Sequence, residues 1–200
     1  MNDSVVIHHS GDGHTRKQAE AITTGAAAHP GTQVQPITID AEGNISEADW
    51  TALAQADAII FGSPTYRGGP SWPLKKFADA SAKPWFGQAW KDTVAAGFTH
   101  SASIDGDELS TLHDQFTLAM QHGMVWLGTG MLPANSKAAQ RNDLKGMGAF
   151  AGAMAQSPSD ASAEEGPLPS DLETARQFGA RIAAATARWK HGQVELAKAA

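Results

Sequence analysis

The chain has 200 residues, 42% of them hydrophobic, which suits one α/β domain with a real core. Its formal net charge of −6 argues against a general nucleic-acid binder, since a phosphate backbone is held by clustered Lys and Arg. There is no cysteine, so disulfides, thiolate nucleophiles, iron–sulfur clusters and Cys-based zinc sites are excluded. The eight histidines show no HExxH or other ligand spacing, so no metal site is expected. No apolar stretch approaches the roughly 20 residues that a membrane span needs. The start, MNDSVVIHHSGDGHT, has neither a basic n-region nor a long apolar h-region, which points to a cytoplasmic protein.

In chain order, Ser4–His8 is a short β-branched run that reads as a buried strand. A helix follows over His14–Ala28, with Ala19, Ala21, Ile22 and Ala26 apolar and His29-Pro30-Gly31 stopping it. Thr32–Ile39 alternates as a second strand, and Ser46-Glu47-Ala48-Asp49 has the acidic first turn of a helix start. Asp57–Phe61 reads as a third strand ended by Gly62-Ser63-Pro64, and Pro73–Ala80 as a helix. Thr93–Phe98 is a fourth strand, Asp107–His122 a helix and Met124–Leu127 a fifth strand. Residues 128–169 are rich in Gly, Ala, Ser and Pro with little period, the pattern of a functional loop or lid. Asp171–Trp189 closes the chain as an Ala-rich helix with Ser170 as its N-cap. Residues 1–200 are therefore expected to form a single domain.

Strands alternating with helices imply a parallel sheet covered on both faces, with ligands bound outside the carboxyl ends of the strands. The first such loop is Ser10-Gly11-Asp12-Gly13-His14-Thr15. Backbone N–H groups at a helix N-terminus, with Ser and Thr hydroxyls, make an anion site without any Lys. A plain Gly-rich turn capped by Thr15 or Asp12 fits the same residues. The second loop is Gly62-Ser63-Pro64-Thr65-Tyr66-Arg67-Gly68-Gly69-Pro70-Ser71-Trp72. It suits either a backbone wall beside a flat ring or a surface turn with a solvated Arg. Trp85, Phe86 and Trp90 fit a core as well as a substrate box, and His122 fits a helix C-terminus facing the dipole. His8 and His9 read as structural, and Glu164 and Glu165 as solvated.

Taken together, these loops resemble the flavodoxin superfamily, and more closely the WrbA-type NAD(P)H:quinone oxidoreductases. The resemblance rests on four motifs in order. They are Ser10 to Thr15; Gly62, Pro64, Thr65 and Gly68; Trp85 placed thirteen residues before Phe98; and His122-Gly123-Met124. It implies a three-layer flavodoxin-like fold with a five-stranded parallel sheet in the order 2-1-3-4-5. It also implies FMN as cofactor and NAD(P)H as co-substrate. Ser10, Gly11, Asp12, Gly13, His14 and Thr15 would hold the FMN phosphate. Pro64, Thr65, Tyr66 and Arg67 would line the flavin ring, and Thr99, His100, Ser101, Ala102, Ser103 and Ile104 its edge and ribityl chain. His122 would sit near the pyrimidine edge, with Arg67 and His122 stabilising negative charge during catalysis. Trp85, from a partner subunit, and an outward-facing Asp12 would meet the substrate. The expected function is electron transfer from NAD(P)H to a quinone or similar acceptor by a homodimer or homotetramer. A flavodoxin-type electron carrier and an FMN-free structural or regulatory domain are the alternatives.

Overall fold

The computed structural model describes residues 1–199, with side chains through Glu195. Three long parallel strands form its centre: β1 (Asn2–His8), β3 (Ala58–Tyr66) and β5 (Val94–Ser101). β2 (Thr32–Thr38) pairs with β1 on one side, and β6 (Val125–Trp126) pairs with the start of β5 on the other. The strand order β2-β1-β3-β5-β6 is the expected 2-1-3-4-5 arrangement. A two-residue strand, β4 (Gly69–Pro70), folds back antiparallel on the end of β3.

Pleat alternation divides the core. Val5 and Ile7 of β1 and Ile59 and Phe61 of β3 enter one cluster, packed against Leu53 of α2 (Glu47–Gln55) and Leu74 and Phe77 of α3 (Trp72–Ala80). Ala119 of α5 (Glu108–Gln121) closes that layer. Val6, Ala58, Ile60 and Phe98 point the other way, onto Ile22 of α1 (His14–Ala27) and Phe178 and Ile182 of α6 (Pro169–Ala199). α1 and α6 cross closely through two glycines. A Cβ on Gly25 would lie 1.8 Å from the Arg176 carbonyl oxygen, and one on Gly179 would lie 2.1 Å from that of Ile22.

Several boundaries differ from the sequence reading. β3 does not stop at Gly62 but runs to Tyr66, and β5 runs to Ser101 rather than Phe98. Ser63 pairs with Thr99 and Pro64 with His100, and the Thr65 and Thr99 hydroxyls share a hydrogen bond of 2.8 Å. That link extends the pair past the Gly-Ser-Pro that was expected to end it. A short helix, α4 (Ala82–Phe86), was not foreseen. α6 begins at Pro169, which puts Ser170 inside its first turn rather than at the N-cap.

The largest difference concerns residues 128–169. This stretch is not wholly irregular, because β7 (Ala153–Gln156) lies within it and pairs in parallel with Phe98–Ser101 of β5. The fifth position of the sheet is thus shared. β6 fills the half beside Val94 and Ala95, the chain loops out, and β7 fills the half beside the ends of β3 and β5. The loop is pinned to α6. The Arg141 guanidinium grips the Asp171 carboxylate through two bonds of 2.8 and 2.6 Å, and the Gln156 amide donates to the same carboxylate at 3.1 Å. The Asp171 side chain is only 2% exposed, so its charge depends on these partners. Replacing Asp171 by Ala leaves the Arg141 cation and the Gln156 amide unpaired. The expected loss of stability is about 3 kcal/mol, read by urea unfolding. A loss under about 0.5 kcal/mol, the surface-substitution range, would show that the loop does not depend on this anchor.

Candidate functional site

β1, β3 and β5 end together at one edge of the sheet, where the order reverses between β1 and β3. Ligands of open α/β sheets bind at such a switch point, and flavodoxin with its FMN is the standing example of that rule. A cleft of about 520 Å³ opens there, within the usual size of a cofactor pocket. Its walls are Asp12, His14 and Thr15 from the first loop, Pro64–Tyr66 from β3, and His100–Ala102 from the end of β5. The far wall is 157–162 together with Glu165, on the connection from β7 to α6.

The first loop is built to present amides. Gly13 takes φ 91°, the left-handed region open to Gly, and serves as the N-cap of α1 without a side-chain cap. The Ser10 hydroxyl oxygen accepts from the amides of Gly13 and Arg16, both at 3.2 Å, and this fixes the turn. First-turn amides of a helix have no partner within it, so those of His14 and Thr15 face the cleft end of α1. Asp12 is exposed, and its carboxylate accepts from the Tyr66 hydroxyl at 3.3 Å. Tyr66 therefore reaches back across the cleft, and burial with the nearby Asp12 raises its pKa.

Two imidazoles stack in the cleft wall. His14 and His100 have ring centroids 4.8 Å apart and planes 27° from parallel, and each residue is 7% exposed. His14 Nε2 lies 3.1 Å from the Ser162 carbonyl oxygen, so that nitrogen carries the hydrogen. The Nε2 of His100 is buried with no hydrogen-bond partner. Burial, with His14 alongside, pushes His100 down to about 4, so it is neutral near pH 7. Among the described residues, the cleft walls carry Asp12, Asp160 and Glu165 but no Lys or Arg.

Not every expected contact is brought there. Thr65 forms part of the wall, but its hydroxyl is committed to Thr99 and Thr111, both at 2.8 Å, leaving its backbone to face a ligand. Thr99 is fully buried behind it and has no exposed surface to offer. The Ser101 hydroxyl donates to Glu108 at 2.6 Å. Ser103 and Ile104 are exposed beyond the cleft walls, and Arg67 sits exposed at the rim with φ 52°.

His122 and Trp85 lie at the opposite edge of the sheet. His122 follows the end of α5 just before β6, whose Val125 pairs with Val94, the first residue of β5. Its Nε2 shares a 2.9 Å hydrogen bond with the Ser81 hydroxyl, and its ring lies 4.1 Å from that of the buried Trp90, tilted by 33°. Burial pushes it to about 4. Trp85 donates from its indole to the Gln121 carbonyl at 2.8 Å, and Phe86 beside it is 79% exposed. A chain therefore cannot bring its own His122 or Trp85 to its own cleft. Trp90 belongs to the core.

Residues 157–165 fall in the 128–169 stretch expected to be a functional loop or lid, but none of them was expected as a site contact. Glu165 is exposed as expected, yet it lines the cleft, and its carboxylate accepts from the Ser162 amide at 2.9 Å. Ser, Asp, Ala and Glu without a period give no signal of such a role; only the pairing of β7 brings them there.

These features define a flavodoxin-like α/β protein whose first helix opens its N-terminus onto a cleft at the switch point of the sheet. The family model for NADPH-dependent FMN reductase matches residues 8–139, and the chain belongs to that family. Flavodoxin FldP of Pseudomonas aeruginosa is 47% identical over 184 residues, covering 92% of this chain and 96% of that protein. An NAD(P)H dehydrogenase (quinone) of Geotalea daltonii is 30% identical over 197 residues, covering 90% and 94%. The crystal structure of a WrbA-like flavodoxin from Agrobacterium tumefaciens superposes with a TM-score of 0.75 at 46% identity, covering 94% of this chain and 99% of that one. The cofactor is FMN. The open first-turn amides and the unpartnered His100 nitrogen fit its phosphate.

Replacing Ser10 by Ala removes the acceptor that holds the Gly13 and Arg16 amides. FMN affinity should fall about tenfold, near 1.4 kcal/mol, as read by quenching of FMN fluorescence. Unchanged affinity would show that the loop keeps its form without the hydroxyl.

Proposed function

We propose that this chain passes electrons from NAD(P)H to a quinone or a similar two-electron acceptor, with FMN held at the β1–β3–β5 edge. The observation that carries the reading is the cleft itself, which joins the amide-rich turn at Gly13 to the backbone wall of Pro64–Tyr66. When bound, FMN supplies hydride-accepting and electron-transfer chemistry. The chain's own residues bind and orient. Ser10, Gly11, Gly13, His14 and Thr15 hold the phosphate. Pro64, Thr65 and Tyr66 flank the ring, with His100, Ser101 and Ala102 along its edge. Arg67 at the rim offers positive charge to an anionic acceptor. The relatives named as quinone dehydrogenases support this choice of acceptor.

The exposed aromatic patch of Trp85 and Phe86, with His122 beneath it, supports a homodimer or homotetramer in which another copy completes the substrate side. His122 would then bind as a neutral ring, not as a proton donor. The chain is read as a single domain, 1–200, with the 128–169 loop or lid segment as part of it. No helix among the described residues is long and apolar enough to cross a membrane.

A flavodoxin-type electron carrier is the second reading. It draws support from the 47% identical flavodoxin and from the exposed carboxylates of Asp12, Asp105, Asp107, Asp160, Glu164 and Glu165 near the cleft. The test is anaerobic rapid mixing of the FMN-loaded protein with NADH or NADPH, followed by a benzoquinone. The enzyme reading expects the flavin absorbance to bleach with at least one nicotinamide and to return with the quinone. No bleaching with either would overturn it in favour of the carrier.

A further inference from the structure

A phosphomonoester carries close to two negative charges near pH 7 and loses the second of its two protons near pH 6. The cleft that receives it holds three carboxylates in its walls and, among the described residues, no Lys or Arg. The helix terminus supplies roughly half a positive charge. Beyond that, the Arg16 guanidinium lies beside the turn, 3.8 Å from where a Cβ on Gly13 would sit, and within the cleft wall the buried His100 ring is a further group that can take up positive charge.

Geometry separates the roles of His14 and His100. His14 is the first residue of α1, so its ring sits beside the amides that take the anion. Its Nε2 hydrogen is committed to the Ser162 carbonyl, which ties the ring to the far wall. His100 stacks on that ring and keeps its own Nε2 without a partner, although 93% of the residue's surface is covered. A buried nitrogen left unpaired is costly unless a ligand or water meets it. Positive charge on one ring of a stacked pair disfavours it on the other.

We propose that the stacked His14–His100 pair is a proton-coupled anion clamp, taking up one proton on the His100 ring as a phosphomonoester binds at the first turn of α1. This rests on the FMN reading of the cleft and adds a proton to the binding equilibrium.

The groups facing His100 agree with this. His14 from α1 opposes its charge, and Asp12 favours it. Tyr66 from β3 is neutral near pH 7. Asp160 and Glu165 from the far wall share the cleft, and Glu108 of α5 lies behind Ser101. His9, at the end of β1, is itself held low by burial, so it adds no competing positive charge. Without ligand, burial keeps His100 neutral down to about pH 4. A dianion alongside offsets that cost and raises the pKa towards or above ambient pH. Between the two values the complex binds more protons than the free protein, so affinity rises as pH falls. Below about pH 6 the free phosphate already carries its own proton, so the effect is read between about pH 6.5 and pH 8.

The test is isothermal titration of flavin-stripped protein with FMN near pH 7, in PIPES and again in imidazole buffer. The dependence of the apparent enthalpy on the buffer's ionisation enthalpy counts the protons taken up. The expected result is about half to one proton per FMN, with Kd falling by up to about tenfold per pH unit lowered. Riboflavin, which lacks the phosphate, should bind with no uptake. His100→Gln should bind FMN with no uptake, at an affinity nearly flat across the window. FMN binding without proton uptake in the wild type, or uptake retained in His100→Gln, would overturn the clamp while leaving the FMN reading intact. Failure of FMN to bind would overturn both. Should the variant not fold, the FMN and riboflavin comparison on the wild type decides alone.

Discussion

The site depends on one turn: the left-handed backbone at Gly13, held by the Ser10 hydroxyl. A strand that ends in the sheet plane must turn within a few residues for the next helix to aim its first amides back over the strand ends. Only a residue free to take φ 91° makes that turn at no steric cost. The Ser10 oxygen takes two of the loop's amides for itself, which fixes the turn and leaves the first-turn amides of α1 to an anion. Each further feature of the cleft is a wall placed against this turn.

Those walls are made rigid from behind. The Thr65, Thr99 and Thr111 hydroxyls form a buried chain that joins β3, β5 and α5 at the same height. The backbone of Pro64–Tyr66 and the His100 ring are presented from that support. The far wall comes from a different device. The fifth strand position is divided between β6 and β7, so a segment late in the chain pairs beside Phe98–Ser101 and delivers residues 157–162 and Glu165 to the cleft shared with His14 and Thr15. The bond between Arg141 and Asp171 anchors the intervening loop to α6, on the face opposite α2 and α3. Stability at Asp171 and shape at the cofactor edge are therefore parts of one arrangement.

Much of this was legible in the sequence. Short runs of Val, Ile and Phe marked the central strands, and Ser46 with Asp49 forms the capping box that its acidic first turn announced. The Gly-rich turn at residues 10–15 was readable because anion sites at helix termini need small residues at fixed places. What stayed hidden depended on distant pairing. Ala153–Gln156 has too little β-branched character to declare a strand, and becomes one only beside β5. Thr65 and Thr99 look like ligand contacts in a list of loop residues, yet their hydroxyls bond each other. His122 matched a motif, but position along the chain does not reveal which edge of a sheet a residue occupies. It ends a helix that runs away from the cleft, so it stands apart from the walls of its own chain's cleft.

Hydrogen–deuterium exchange tests most directly the proposed seat of FMN at the turn around Gly13, facing the stacked imidazoles. Adding FMN should slow exchange at residues 10–15, 64–66, 100–102 and 157–162 together. Slowing confined to residues 85–91 and 120–123, or to the groove between Trp50 and Pro84, would contradict it.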